Sequence, residues 1–481
     1  MEDIQLNILV GILLFIIITV FVTRFFVKRK VKRMMMAMSD EQRTDSLPEQ
    51  GSDEVLAKHP LTFVELNASS EMAEAEQLRE SLITRARLLF RRAFRYDIVA
   101  GFGYLLIPII IGGGDLLEDG IDIVLPFLFL SVVRYLAFRQ QFRAHLSGPG
   151  GCLQPIYTTW LEIAKPKWRP FIAAIAIALA LGKAYTNLVD YQEIRLGLSW
   201  VMAAAFHMWL IYRLMESLRN EANLKLLILR VFGINETAEF TFEGLLTYWQ
   251  HFGSFFTVVD PSFLGSQKRQ QNRLIPLLVA TFFAFIFLTV AFEGVVEANP
   301  VLFYFLVLVV TLLGAVAYVV LSMRQIDRGF VRSQADLRER LQRLEKRPRK
   351  LDLTFKSLPT MCYDNTWRMA VLEFINSSEV ILMDLRGYSD ERKGCEYEVD
   401  LLLDTVPIQR IVFLVDAPGL PQVQKLILER WEWLRTTSPN LDQGPTEALI
   451  YVSSKKNKED IQGIMDILMD AAIRTGAKSV G

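Results

Sequence analysis

The sequence contains little of what most metal centres and disulfide frameworks require. Its 481 residues include only three cysteines and four histidines. Cys152, Cys362 and Cys395 lie far apart along the chain, and neither their spacing nor that of the histidines matches a zinc-binding or disulfide pattern. Basic and acidic residues are equal in number, 53 of each, so no overall field favours nucleic acid. The sequence therefore predicts no metal site, no disulfide framework and no nucleic-acid partner.

Apolar residues, in contrast, make up 52% of the chain and form long runs. The first run, residues 8–27, has about the 20 residues that a helix needs to cross a bilayer. Glu2 and Asp3 precede it, and a cluster of lysines and arginines between residues 24 and 33 follows it. Because basic residues favour the cytosolic side of a membrane, this asymmetry predicts an N-terminus outside the cytosol.

Three further pairs of apolar segments follow. They are residues 98–113 with 121–137, residues 171–181 with 196–214, and residues 275–292 with 301–323. The loops of the first and third pairs carry acidic residues and no basic ones, whereas their outer flanks are basic, so both loops are predicted outside the cytosol. The middle pair is weaker. We predict seven membrane helices with a cytosolic C-terminus, or five if the middle pair lies on the membrane surface.

His207 interrupts the second segment of the weak pair. An ionisable residue inside a membrane helix can belong to a proton path. The alternative is a buried, hydrogen-bonded histidine that contributes only to packing, and the sequence favours this second interpretation.

The C-terminal part of the chain alternates between short apolar runs and amphipathic segments. The predicted strands are residues 379–385, 410–415 and 448–452. The predicted helices are residues 367–375, 395–403, 420–434 and 460–474. Continuous apolar strands separated by helices are typical of a parallel sheet covered on both faces.

Two more strands are predicted before the last membrane hairpin, at residues 224–232 and 254–259, with a helix at 240–252 between them. This is the length of a βαβ unit. We therefore predict a sheet split along the chain, in which residues 226–229 pair with residues 381–383. In the alternative interpretation, residues 224–263 form an interfacial loop and the C-terminal domain folds alone.

These predictions divide the chain into seven parts. They are a transmembrane helix with its basic flank (1–33), a cytosolic linker with an amphipathic helix (34–96), four transmembrane helices (97–215), the first part of the α/β domain (216–263), a transmembrane hairpin (274–323), a charged connecting helix (324–350) and the second part of the α/β domain (351–481). The predicted location is the cytoplasmic, inner or plasma, membrane, with lipid as a partner. The sequence leaves self-association into a homo-oligomer open.

Charged residues follow the predicted strands. Three strands finish on Asp260, Asp384 and Asp416, and Arg230 and Arg386 lie nearby. In open parallel sheets, ligands bind at the carboxyl ends of the strands. Carboxylates there could bind Mg²⁺ or a ribose hydroxyl, and arginines could hold phosphate. For each aspartate alone, the alternative role is to cap the helix that follows.

A second candidate is the helix start Gly-Cys-Glu-Tyr-Glu-Val at residues 394–399. Cys395 and Glu398 lie on one face of the predicted helix. A carboxylate near a helix N-terminus is expected to be ionised, and it could orient ribose hydroxyls or stabilise a developing cation. The alternative is that Glu398 is an ordinary solvated glutamate.

The helix 367–375, the strand 379–385 and this helix start resemble part of a Toll/interleukin receptor (TIR) domain. In that family a Ser-rich loop and a Trp-Cys-x-x-Glu-Leu helix start follow the third strand. Here the match is Cys395-x-x-Glu398-Val399, with Gly394 at the tryptophan position. The resemblance implies a flavodoxin-like parallel sheet. It also implies that Glu398 is catalytic, because the glutamate of this motif cleaves the nicotinamide–ribose bond of NAD in enzymatic members.

The sequence thus predicts a multi-span α-helical membrane protein with a cytosolic, TIR-like nucleotide-binding or signalling domain. Whether the domain is an enzyme, and whether its ligand is NAD or another nucleotide, stays open. The alternatives are a transporter or channel with a regulatory α/β domain, and a non-catalytic membrane scaffold.

Overall fold

The computed structural model describes residues 18–38, 54–67, 73–112, 124–136, 169–218, 223–230, 245–258, 316–389, 393–441 and 444–474, with short gaps inside several of these ranges. The first half of the predicted span 8–27, residues 115–122 with the predicted loop of the first apolar pair, Asp260 and nearly all of the predicted hairpin 275–323 lie outside the described residues.

The described strands are β1 (Glu54–Leu56), β2 (Leu61–Leu66), β3 (Leu226–Arg230), β4 (Phe255–Val258), β5 (Phe330–Val331), β6 (Ser357–Cys362), β7 (Val380–Asp384), β8 (Ile411–Asp416), β9 (Trp433–Arg435) and β10 (Thr446–Ser453). The described helices are α1 (Ala73–Ile107), α2 (Arg169–Val189), α3 (Ile194–Ser217), α4 (Gln334–Lys346), α5 (Trp367–Ser377), α6 (Lys393–Thr405), α7 (Leu420–Trp431) and α8 (Asn457–Arg474). A π-helical turn, Pro108–Gly112, continues α1.

Eight of the strands form one sheet in the order β2-β10-β8-β7-β3-β4-β6-β5, and β1 pairs separately with β9 in an antiparallel pair. The chain divides into two compact units. One consists of residues 1–51, 257–339 and 359–376, and the other of residues 52–256, 340–358 and 377–481.

The centre of the larger unit is built from strands that are far apart in the sequence. β3 pairs in parallel with β7, and the register runs from Leu226 opposite Val380 to Arg230 opposite Asp384. All five residues of each strand are buried, as expected for a parallel strand covered on both faces. The predicted pairing of residues 226–229 with residues 381–383 is therefore confirmed.

The edge strand of this unit, β2, is not predicted from the sequence, which predicts no strand within residues 34–96. β2 lies there and pairs in parallel with β10, so that Thr446 is opposite Leu61. The hydroxyl of Thr62 also donates a hydrogen bond to the carbonyl of Thr446, at 3.2 Å. β2 is only partly buried, and such a strand has a weaker apolar pattern than one in the middle of a sheet.

Two helices among the described residues are long and apolar enough to cross a membrane, Ala73–Ile111 and Ile194–Ser217. The apolar part of α2, Ile172–Leu188, is shorter. α1, α2 and α3 share a buried core that includes Tyr104 and Trp200.

His207 is buried in this helical core, with 2% of its surface exposed. Its Nδ1 atom lies 2.8 Å from the hydroxyl of Tyr104, in a hydrogen bond. The rings of Tyr104 and Phe127 contact it edge to face. This agrees with the packing interpretation of His207.

The smaller unit contains a second buried cluster, formed by Val27, Val31, Ile326 and Phe330. Lys30 pairs with Asp327 at 2.6 Å beside it. The predicted connecting helix 324–350 is shorter than expected, because β5 precedes α4.

Candidate functional site at the carboxyl edge of the sheet

Polar side chains meet where the central strands of the larger unit end. Arg230, the last residue of β3, is in register with Asp384, the last residue of β7. Asp416, the last residue of β8, is in register with Ser453, the last residue of β10. Because all three registered pairings among these four strands are parallel, their carboxyl ends lie at the same edge. We refer to this region as the carboxyl edge.

Asp384 and Arg386 form a buried ion pair at the carboxyl edge. Nε of Arg386 donates to Oδ1 of Asp384 at 2.8 Å, and Nη2 donates to Oδ2 at 2.7 Å. The backbone N–H of Arg386 also donates to Oδ1, at 3.2 Å. Gly387 follows with φ at +67°, a conformation that favours glycine. The short turn after β7 therefore folds the guanidinium back onto the carboxylate two residues earlier.

More negative charge surrounds this pair. Burial by itself lowers the pKa of Arg386, but attraction to Asp384, supplemented by Asp460 and Asp416, more than offsets burial and leaves the pKa raised. Asp460, in the first turn of α8, is fully buried. It accepts hydrogen bonds from the hydroxyls of Ser453, at 2.9 Å, and Tyr451, at 3.3 Å.

Asp416 has hydrogen-bonding capacity to spare. Its Oδ1 atom is buried and has no hydrogen-bond partner among the residues that the structure describes. The next helix, α7, begins after Gly419 without any side-chain cap. A Cβ atom at Gly419 would lie 2.6 Å from Oδ1 of Asp416, so glycine leaves room for that oxygen. Asp416 therefore does not have the capping role that was the alternative.

Asp384 also differs from a helix cap, since its two carboxylate oxygens are bound by Arg386. No group of three or more histidine, cysteine, aspartate or glutamate residues in the described part of the chain is placed to hold a metal ion. Binding of Mg²⁺ by the strand-end aspartates, one of the two roles that the sequence leaves open, thus gains no support from the described residues, whereas hydrogen bonding to a ligand remains open to Asp416.

Glu398 lies on the buried face of α6 together with Cys395, with 5% and 6% of their surfaces exposed. Burial raises the pKa of Glu398 to about 8. The carboxyl is therefore mostly neutral at pH 7, contrary to the expectation that the helix N-terminus would keep it ionised. Desolvation disfavours the charged form more strongly than the helix dipole favours it. Its burial also excludes the alternative of a solvated glutamate.

The structure brings together Arg230, Asp384, Arg386 and Asp416 at the carboxyl edge. Asp260 lies outside the described residues. No described contact joins Glu398 to the Asp384–Arg386 pair. The residues missed from the sequence are Tyr451, Ser453 and Asp460. Ser453 directly follows the predicted strand 448–452, so the rule that predicts Asp384 and Asp416 could have found it.

Comparisons of the chain with protein-family models, with curated proteins and with solved structures find no match. The function is therefore inferred from the chemistry of the carboxyl edge.

Proposed function

We propose that this chain is an integral membrane protein whose cytosolic α/β domain binds a nucleotide at the carboxyl edge. The observation that carries the proposal is the buried Asp384–Arg386 ion pair with Asp416 and Asp460 around it. Buried charges are costly unless they are paired or hold a ligand. Arg386 neutralises the charge of Asp384. The carboxylates of Asp416 and Asp460 therefore remain as hydrogen-bond acceptors for the hydroxyl or amino groups of a ligand.

A nucleotide matches this combination of groups. Its ribose hydroxyls and base amino groups donate hydrogen bonds, which Asp416 can accept through its unpartnered Oδ1 atom. Its phosphates accept hydrogen bonds, which arginines donate in a bidentate geometry. Arg230, opposite Asp384 in the register of β3 and β7, is the proposed phosphate-binding residue.

The proposed membrane arrangement has the N-terminus outside and the α/β domain in the cytosol. It is supported by the two long apolar helices and by the charge asymmetry of the predicted loops. We further propose that the sheet is flavodoxin-like and TIR-like, and that a membrane hairpin at residues 275–323 is inserted between its two parts. The parallel pairing of β3 with β7 supports this order.

Binding is tested with the full-length protein in detergent, by thermal unfolding in the presence of NAD, ATP or ADP-ribose. We expect at least one nucleotide to raise the unfolding temperature. Asp416→Asn should weaken the binding of that nucleotide at least tenfold. The ligand-free unfolding temperature should change little, because Oδ1 of Asp416 has no hydrogen-bond partner among the described residues and Arg386 keeps its ion pair with Asp384.

Glu429→Gln is the matched control, since this glutamate lies on the exposed surface of α7, with 59% of its side chain exposed. It should bind nucleotide as the wild type does. A wild-type protein with no nucleotide-dependent shift would contradict the proposal and favour a scaffold without a ligand.

A second candidate function is cleavage of the nicotinamide–ribose bond of NAD. It is favoured by the buried carboxyl of Glu398, which has no hydrogen bond or ion pair to any described residue, and by the resemblance of residues 395–399 to the TIR motif. We expect Glu398→Gln to abolish nicotinamide release from NAD. Glu396→Gln, which removes a glutamate that pairs with Arg430, should retain it. If the wild type binds NAD but releases no nicotinamide, the nucleotide-binding proposal stands and the NAD-cleavage proposal is contradicted.

A further inference from the structure

The helix α1 has two opposite faces along its whole length. One face is buried from end to end and includes Arg79, Ala86, Ala93, Asp97 and Tyr104. Arg79 illustrates this face, since its guanidinium binds both carboxylate oxygens of Asp466 on α8, at 2.6 and 2.7 Å. The opposite face is exposed, and nothing in the larger unit covers it among the described residues.

The exposed face changes character partway along the helix. Its first part carries Arg91, Arg92 and Arg95, all exposed. Its second part carries Val99, Phe102 and Leu106, whose surfaces are 46%, 51% and 46% exposed. At about 100° per residue, these six positions fall within one stripe. A basic segment therefore leads directly into an apolar one on the same side of the same helix.

The arginines of this stripe differ from Arg79 in having no ion pair or hydrogen bond to any residue within the described ranges. Three guanidinium groups so close together repel one another unless anions lie between them. An anion that binds there has an apolar stripe beside it, which begins about 6 Å further along the helix axis, at Val99. A ligand that combines a phosphate group with hydrocarbon chains satisfies both parts of the stripe.

We propose that Arg91, Arg92 and Arg95 bind the headgroup phosphates of anionic phospholipids in the cytoplasmic leaflet, while Val99, Phe102 and Leu106 contact the acyl chains. Basic residues at this depth are attracted to the negative surface of that leaflet, and long arginine side chains reach the headgroups from a helix. The inference rests on the proposed membrane location of α1, and it adds a lipid class and the residues that select it.

The test uses full-length protein purified in a mild detergent and incubated with phosphatidylglycerol or phosphatidylcholine, with the bound lipid counted by native mass spectrometry. We expect the wild type to retain phosphatidylglycerol in preference to phosphatidylcholine, and added salt to weaken that preference. Arg91→Gln/Arg92→Gln/Arg95→Gln should reduce retention of phosphatidylglycerol at least tenfold. The corresponding Arg→Lys triple variant should keep most of it, because the positive charges remain.

The control removes three exposed positive charges elsewhere, in Lys346→Gln/Arg368→Gln/Lys425→Gln, and should retain lipid as the wild type does. Equal loss in both Gln triple variants would overturn the proposal, and so would displacement of the lipid by an equivalent excess of inorganic phosphate. Alkaline extraction of cell membranes distinguishes a failure of the lipid-headgroup site from a failure of the proposed membrane location. If extraction releases the chain, the membrane location itself is wrong, whereas a chain that stays in the membrane but shows no lipid preference contradicts only the headgroup site.

Discussion

Glu398 combines burial with a raised pKa of about 8, against an ordinary value of 4.5. As the pH rises from about 4.5, the unfolded chain releases the proton of this carboxyl while the folded chain keeps it. The unfolded state is therefore favoured progressively until the pH reaches the folded pKa. Each pH unit within this window lowers the stability of the fold by about 1.4 kcal/mol.

The first prediction follows from this shift. Glu398→Gln removes the titration, so its stability relative to the wild type should increase by roughly 3 kcal/mol between about pH 5 and about pH 7.5. Unfolding temperatures measured across this range, without ligand, check it. Glu396→Gln is the control on the same helix and should not show this increase. A stability difference between Glu398→Gln and the wild type that stays constant with pH would contradict the burial.

The second prediction concerns the ion pair at the carboxyl edge. Asp384→Asn leaves the guanidinium of Arg386 buried without its counter-charge, and removing one partner of a buried pair costs about 3–5 kcal/mol. Asp384→Leu/Arg386→Leu removes both charges and should be destabilised less than Asp384→Asn. The free energies of unfolding of the two variants check this order. A double variant that is less stable than the single one would show that the pair is net stabilising.

At the scale of single residues, the sequence predicts where an ionisable side chain lies better than it predicts whether that side chain is charged. Asp384 and Arg386 are two residues apart, so their proximity is a local property, and their prediction at a strand end needs only the strand. The protonation of Glu398 depends on everything that packs around α6. No pattern within residues 394–399 reports that burial, which is why the helix dipole alone predicts the wrong ionisation state.

At the scale of the elements, the apolar strands β3 and β7 depend on each other. Val380, Ile381, Leu382 and Met383 of β7 are completely buried, and one side of that strand pairs with β3, which comes from a distant part of the chain. A fragment that lacks β3 leaves the backbone groups on this side of β7 unpaired, and such an edge promotes aggregation.

The third prediction is that residues 351–481 expressed alone are unstable or aggregate, because the fragment lacks β1 to β5, and with them β3, the partner of β7. Size-exclusion chromatography and thermal unfolding of the fragment check it. Co-expression with residues 1–350 should improve its solubility. A monomeric fragment that unfolds cooperatively would show that the pairing with β3 is dispensable.

The elements that the sequence predicts are those with the strongest apolar pattern. β3, β4, β7, β8 and β10 lie inside the order β2-β10-β8-β7-β3-β4-β6-β5, and buried strands read as continuous apolar runs. β2 and β6 are missed because half or more of their residues are only partly buried. β5 is missed because two residues carry no periodicity.

For the whole molecule, the fourth prediction is the orientation in the membrane. Asp119→Cys should react with a membrane-impermeant thiol reagent in intact cells, whereas Gly481→Cys should react only after the membrane is permeabilised. The reason is that residues 115–122 carry acidic and no basic residues, whereas the outer flanks of the predicted hairpin are basic. The background is a variant in which the three native cysteines are replaced. Labelling of Gly481→Cys in intact cells would show that the C-terminus lies outside the cytosol, opposite to the predicted orientation.

The position of β2 has a consequence for how the protein is made. Thr62 hydrogen-bonds to Thr446, 384 residues later in the chain, and among the described strands the one neighbour of β2 in the sheet is β10. At about 5–20 residues per second, a ribosome needs roughly 20–80 s to synthesise that interval. During this time β2 has already left the ribosome and has no partner strand. Glu65, exposed on β2, places a charge on this edge, and charged side chains disfavour the pairing of an unpartnered strand with a neighbouring nascent chain.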